Sequence, residues 1–269
     1  MENAVLATPK EKRRHYREQA LSRVGETRTN NLGSLMIVDE YNSSTDITVR
    51  FVETGNSVKA TWQTFLNGAV KNPYDKSRFG VGYLGEGKYK PTLNGVTTPQ
   101  YLTWSGMLMR CYSEKFQLQH PTYLGCTVAD EWLNFQNFAA WYDENYYEID
   151  EGITTHLDKD ILIKGNRIYG SQQCCFVPNF INQLFVKRES KRGGLPVGTR
   201  RSGKKFEALC NDNKGGRVYL GVYKEPWEAF HCYKIYKEQL IKDVAEENRD
   251  RLPAKLYSAM INYKVEIDD

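Results

Sequence analysis

The run LPVGTRRSGKKFEALCNDNKGGRVYLGVYKEPWEAFHCYKIYKEQLIKDVAEE, residues 195–247, constrains this chain more than any other stretch. LPVGTRR, KKFEALCND and RVYLGVYK are strand-like runs split by Ser-Gly and by Asn-Lys-Gly-Gly, turn residues that join antiparallel neighbours tightly. The period then changes. Ala229, Cys232, Tyr233, Tyr236, Leu240 and Val244 recur at three- and four-residue steps, which is the stripe of an amphipathic helix. One helix covers one face of a three-stranded sheet, so the pattern predicts a second, free pleated face.

Charge is unevenly spread. The net charge of +4 says little, but between Lys187 and Lys205 eight Lys or Arg accompany one Glu. Lys10–Arg28 is also rich in basic residues, and Ala129–Asp160 is acidic. Basic clusters neutralise phosphates and make binding salt-dependent; the same composition also suits a solvated helix face and a linker. A length of 269 residues favours two or three small units over one large core. No apolar run approaches the roughly 18 residues of a membrane span, and the N-terminus lacks a signal-peptide core, so the expectation is a soluble, cytoplasmic protein without a membrane partner. The six cysteines form no C-x-x-C pair and are read as buried thiols of a reducing compartment.

Residues 1–21 are read as a basic N-terminal helix, with Thr8 and Pro9 in its cap and first turn. Over residues 22–90, SLMIVDEY, DITVRFV and SVKATWQTF predict a small barrel-like β module of SH3 size, a binding or spacing unit without a catalytic set. Alternation puts Ile47, Val49 and Phe51 on one face and Thr48, Arg50 and Val52 on the other. RFGVGYLGEGKY, residues 78–89, is read as a glycine-rich turn or linker. Its G-x-G-x-x-G opens no amphipathic helix and is therefore not a dinucleotide fingerprint. YLTWSGMLMRCY predicts a short helix and EWLNFQNFAAWYDENY a stronger one, whose stripe of Trp132, Phe135, Phe138, Ala139 and Tyr142 is read as core.

Trp104, Met107, Arg110, Cys111 and Tyr112 form a W-x-x-M-x-x-R-C-Y pattern, and VADEWLNFQNF forms V-x-x-E-W-x-x-F-x-x-F. Together with HLDKDILIKGNRIYGSQQCCFVPNFINQLF, they resemble a family of phage-encoded HNH-type homing endonucleases. The run from Leu195 is similar to the AP2-type DNA-binding module that accompanies them, and the two likenesses cover residues 100 to 250. The resemblance implies a multidomain α+β protein: the β module over 22–90, an HNH-like ββα unit with flanking helices over 100–186, and an AP2-like three-stranded antiparallel sheet plus helix over 194–269. It further implies an endonuclease that nicks or cuts double-stranded DNA with Mg²⁺ or Mn²⁺ in the host cytoplasm, sited by the AP2-like module.

In that family a strand-end His is the general base, a loop Asn orients it, and one divalent ion stabilises the leaving oxygen. The resemblance makes HLDKD the first strand, GNRIYGSQQ the loop, CCFVP the second strand and NFINQLF the helix. It assigns metal ligation to Asp158, Asp160 and Asn182, and loop roles to Asn166 and Gln173. Two departures stand out: Lys159 occupies the base position, where a lysine is normally protonated, and Gln173 replaces the Asn before Cys174. His156 lies three residues before the expected base. In a strand, His156, Asp158 and Asp160 would share a side, either as a catalytic cluster or as an edge His beside two exposed carboxylates. Cys174 and Cys175 would face opposite ways, with one buried. On the AP2-like sheet the resemblance assigns Arg200, Arg201, Lys204, Lys205, Arg217 and Tyr219 to phosphates and base edges of the major groove. Two other readings stand beside the nuclease: a catalytically inactive DNA-binding adaptor or regulator, and a phage protein that binds and inhibits a host protein.

Overall fold

The computed structural model describes Thr8, Glu18 and residues 22–186, 193–267 and 269. Apart from Thr8 and Glu18, the predicted helix over 1–21 lies outside the described residues, as does the 187–192 part of the second basic cluster. The fold is mixed α+β. It divides into two compact units, Met1–His120 with Asp130–Ala139, and Pro121–Ala129 with Ala140–Asp269. Segment 100–186 is therefore shared between the units and does not delimit one.

In the first unit, β1 (Thr27–Thr29), β2 (Leu35–Ser43), β3 (Asp46–Phe51) and β4 (Ser57–Ala60) form an antiparallel meander in that order. Met36, Val38, Ile47, Val49 and Phe51 are fully buried, whereas Thr48, Arg50 and Val52 are not, the division that alternation predicts. Register shifts between Val38/Glu40 and Tyr41/Ser43 bend β2. The sheet stays open: among the described residues β1 pairs only with β2 and β4 only with β3. The three- and four-residue edge strands are too short to wrap, and the core is closed by Phe65 of α1 (Trp62–Leu66) and by Val70. Gly68, at φ +66°, admits the chain return, since a Cβ there would stand 2.7 Å from Asn31 Oδ1.

The rest of this unit contains β5 (Thr92–Leu93), β6 (Val96–Thr97), α2 (Pro99–Tyr112), α3 (Glu114–Gln119), α4 (Asp130–Leu133) and the first half of α5 (Phe135–Asn145). Trp104, Trp132, Phe135 and Phe138 are buried at its centre, and Trp104 Nε1 donates to the Trp132 carbonyl at 2.7 Å. The single helix predicted over EWLNFQNFAAWYDENY breaks at Asn134, whose Oδ1 accepts the Gln136 N–H at 3.0 Å. The glycine-rich run opens no helix, but neither is it a linker. Gly82 lies against Trp104 and Leu108, and the Gln136 amide bonds to the backbone of Leu84 and Tyr89, so small residues are needed for close approach.

The second unit contains β7 (Thr127–Val128), β8 (Thr155–Asp158), β9 (Ile168–Tyr169) and β10 (Cys175–Pro178). β7 runs parallel to β9, and β8 is antiparallel to β10, which leads directly into α6 (Asn179–Asn182) and the 3₁₀ turn Gln183–Phe185. Two antiparallel strands and a short helix thus occupy HLDKD, CCFVP and NFINQLF. β11 (Thr199–Ser202), β12 (Lys205–Asn211) and β13 (Arg217–Tyr223) form the three-stranded sheet, followed by α7 (Pro226–Glu247) and α8 (Ala254–Ile261).

α7 serves two cores. Ala229 and Tyr233 in its first half pack with Phe206, Ala208 and Cys210 of β12. Ile241, Val244 and Ala245 in its second half pack with Cys175, Val177, Ile181 and Leu184 of the hairpin and its helix, and with Leu256 and Met260 of α8. Full burial of each such aliphatic side chain contributes about 1.5–3 kcal/mol, so this second core is a major tie. Among the described residues no helix is long and apolar enough to cross a membrane.

Candidate nucleic-acid interface and hairpin site

The hairpin comes first, because it holds the residues assigned to catalysis. His156 pairs with Val177 on β8 and is exposed. Asp158 ends the strand, and its Oδ1 accepts the N–H groups of Asp160 and Ile161, each at 2.8 Å. Burial pushes the Asp158 carboxyl above its usual range, against the pull of the Ile161 and Asp160 donors. The chain turns immediately after Asp158, so the strand alternation expected to align Asp160 with His156 and Asp158 stops short of Asp160.

Lys159, in the base position, is 7% exposed. Its Nζ donates to both Asp160 oxygens, at 2.8 and 2.7 Å, and to the Asn166 carbonyl at 2.9 Å. All three N–H donors of the ammonium are thereby engaged. Asn166 holds the loop: its Nδ2 donates to the carbonyls of Lys159 and Ile168 at 2.8 and 2.7 Å, and its Oδ1 accepts the Ile168 N–H. Gln173 is half-buried, with its N–H on the Gly170 carbonyl, and Asn182 is the last residue of α6.

Among the described residues no three His, Cys, Asp or Glu side chains stand together as ion ligands. Asp160 is ion-paired with Lys159, so an Mg²⁺ or Mn²⁺ ion beside it would have to compete with that ammonium. Cys174 and Cys175 are both fully buried, where one was expected to face the site. Burial pushes the Cys174 thiol up to about 12 and the Cys175 thiol higher still, which removes both as nucleophiles near neutral pH.

The C-terminal sheet presents different chemistry. Residues directly opposite on antiparallel strands share a face. Phe206, Ala208 and Cys210 face α7, so Lys205, Glu207, Leu209 and Asn211 face outward. Register adds Arg200 opposite Glu207, Tyr219 opposite Leu209, Arg217 opposite Asn211, and Val222 opposite Glu207 on its other side. Tyr219 is 58% exposed and Val222 46%, so the face is open and carries apolar surface among its cations.

Not every assigned cation belongs to this face. Arg201 is opposite Phe206 and lays its guanidinium 5.0 Å from that ring's centroid, on the α7 side. Adjacent residues of one strand cannot share a face, which the pairing of Arg200 with Arg201 ignored. Lys204 occupies the β11–β12 turn beside Gly203. Arg200 donates twice to Glu207; with the Ser202 hydroxyl it holds the Glu207 carboxyl below its usual range. Lys205 and Arg217 have no ion pair among the described residues.

Sequence reasoning missed Lys237. It is 8% exposed on α7, and burial holds its ammonium below the usual lysine range. The signal was present: Ala229, Tyr233, Lys237, Ile241 and Ala245 are strict four-residue steps, and the buried stripe follows them. Comparison of the chain with family models, with curated proteins and with solved structures gave no match.

Proposed function

We propose that the protein is a DNA-binding adaptor or regulator of the phage type implied by the resemblance, in which the ββα hairpin serves as scaffold. The outward face of β11–β13 carries the reading. Among the described residues it offers Lys205 and Arg217 without counter-charges, exposed Tyr219 and Val222, and a single carboxylate, Glu207, already matched by Arg200. A pleated surface of that charge attracts phosphates, and its protruding side chains reach base edges.

The test is retention of a labelled duplex by fluorescence anisotropy across a salt series, beside plasmid nicking with Mg²⁺ and Mn²⁺. Retention is expected to fall steeply with salt, with a log–log slope of about −0.9 per phosphate contacted, and the plasmid to stay intact. A duplex ignored at low salt ends this reading.

A metal-dependent endonuclease is the second reading, favoured by one observation: the ββα order together with the Asn166 bond to the backbone of residue 159. It requires nicking that depends on the metal and disappears in Asp158→Ala/Asp160→Ala. Such a result would replace the adaptor reading.

A further inference from the structure

At one end of the C-terminal sheet lies a cavity of about 390 Å³, lined in part by Gln183, Thr199, Asn211, Arg217, Tyr233 and Lys237. We propose that it binds a phosphate-bearing anion, with Lys237 as the enclosed cation and Arg217 as the exposed one. The inference goes beyond the duplex-binding reading: Arg217 is shared with the outward face, but Lys237 lies on the sheet-covered side of α7, away from that face, and is the residue that tells the two apart.

Three observations carry it. First, among the described residues the lining holds three cationic side chains, Arg200, Arg217 and Lys237, and no carboxylate. Arg200 is committed to Glu207, which leaves two cations for a guest. Second, Lys237 is more than nine-tenths buried, yet no hydrogen bond or ion pair engages its Nζ among the described residues. The ionisable group acting on it is the Cys210 thiol, itself pushed up by burial and so uncharged near neutral pH. A largely enclosed lysine with no counter-charge among the described residues gains from an anion in the cavity beside it. Third, the remaining polar lining is neutral, and the amides of Gln183, Asn211 and Asn213 are able to donate. Two cations with several neutral donors suit a doubly charged phosphate better than a single carboxylate. The volume falls within the range of small-ligand pockets, about 300–1,000 Å³.

The guest's phosphate can come from a free ion or nucleotide, or from the end of a nucleic-acid strand, and the experiment separates these sources. Full-length protein is titrated calorimetrically with inorganic phosphate at constant ionic strength against chloride, and thermal melting is followed in parallel. The wild type is expected to bind phosphate and melt higher in it. Lys237→Met is expected to fold and to lose at least tenfold in phosphate affinity. Arg217→Gln, an exposed change that keeps the fold in hand if Lys237→Met does not, is expected to weaken phosphate several-fold.

A single strand with a 5′-phosphate is then compared with the same strand bearing a 5′-hydroxyl. Preference for the phosphorylated strand, matched by competition with inorganic phosphate, assigns the guest to strand ends. Binding of phosphate alone assigns it to the free ion. Absence of phosphate binding by the wild type, or equal affinity in the wild type and both variants, overturns the proposal, whatever the duplex does.

Discussion

On the wet face of the N-terminal sheet, the cations of β3 and β4 sit on carboxylates. Arg50 grips Asp39 with two bonds, at 2.8 and 3.2 Å, and Lys59 lies 3.6 Å from Glu40 and 3.4 Å from Asp46. On the wet face of the C-terminal sheet, among the described residues, Arg200 is matched, while Lys205 and Arg217 stand without ion pairs among exposed Tyr219 and Val222. Both sheets are antiparallel, short and half-buried, so architecture does not separate them. The difference lies in which cross-strand neighbours carry the opposite sign. A neutralised face has little long-range field, whereas an unneutralised one draws polyanions. Basic residues in a sequence therefore report a binding face only after strand register has shown which of them are already answered.

The contrast breaks most sharply under charge reversal. Lys205→Glu/Arg217→Glu is expected to weaken duplex retention more than tenfold at moderate salt and to flatten the salt slope by about one per lost phosphate contact. Lys59→Glu in the other sheet should leave both unchanged. Equal losses in the two variants would show that the sheets do not differ in the way argued.

A smaller effect, of opposite sign, is expected from Glu207→Gln. It frees Arg200 and removes the face's acid, so affinity should rise by about threefold, roughly 0.6 kcal/mol, with little change in melting temperature. Unchanged affinity would mean that Arg200 takes no part.

Acid should act on the C-terminal side through Glu238. Burial pushes its carboxyl up, but the Val265 N–H with Lys234 and Lys264 outweighs this, and the net shift is downward. A carboxyl lowered in the folded state stabilises above its unfolded value, about 4.3, and that contribution fades as pH falls through the folded value. Melting temperatures measured from pH 6 downward should therefore fall less steeply in Glu238→Gln than in the wild type; parallel curves would remove Glu238 from the account. The smallest effect belongs to Arg50→Ala, a half-exposed pair expected to cost about 0.2–1 kcal/mol in chemical unfolding, with no change in duplex retention.

Much of this was legible in the residues. Alternation in DITVRFV separated the buried Ile47, Val49 and Phe51 from the solvent side, and turn chemistry with a change of period foretold β11–β13 and α7. What failed was information carried by register and by turns. Arg201 was placed with Arg200 because composition ignores pleat, and Asp160 with His156 because nothing in HLDKD marks where β8 ends. Cys174 and Cys175 were split between core and site, although the packing around β10 encloses both. The glycine run was read as turn or linker because periodicity shows where glycine interrupts a pattern and not what it lies against, here Trp104 and Leu108. The candidate site was therefore legible as a basic sheet and illegible as a set of paired and unpaired charges.

α7 carries one last consequence. Its first two turns belong to the sheet and its later ones to the hairpin's core, through Ile241, Val244 and Ala245. A fragment cut between Phe185 and Thr199 would bare greasy surface on either piece, so the sheet is not a portable cassette. Evolution or an engineer can retune its wet side residue by residue, but grafting it elsewhere would require bringing the hairpin along.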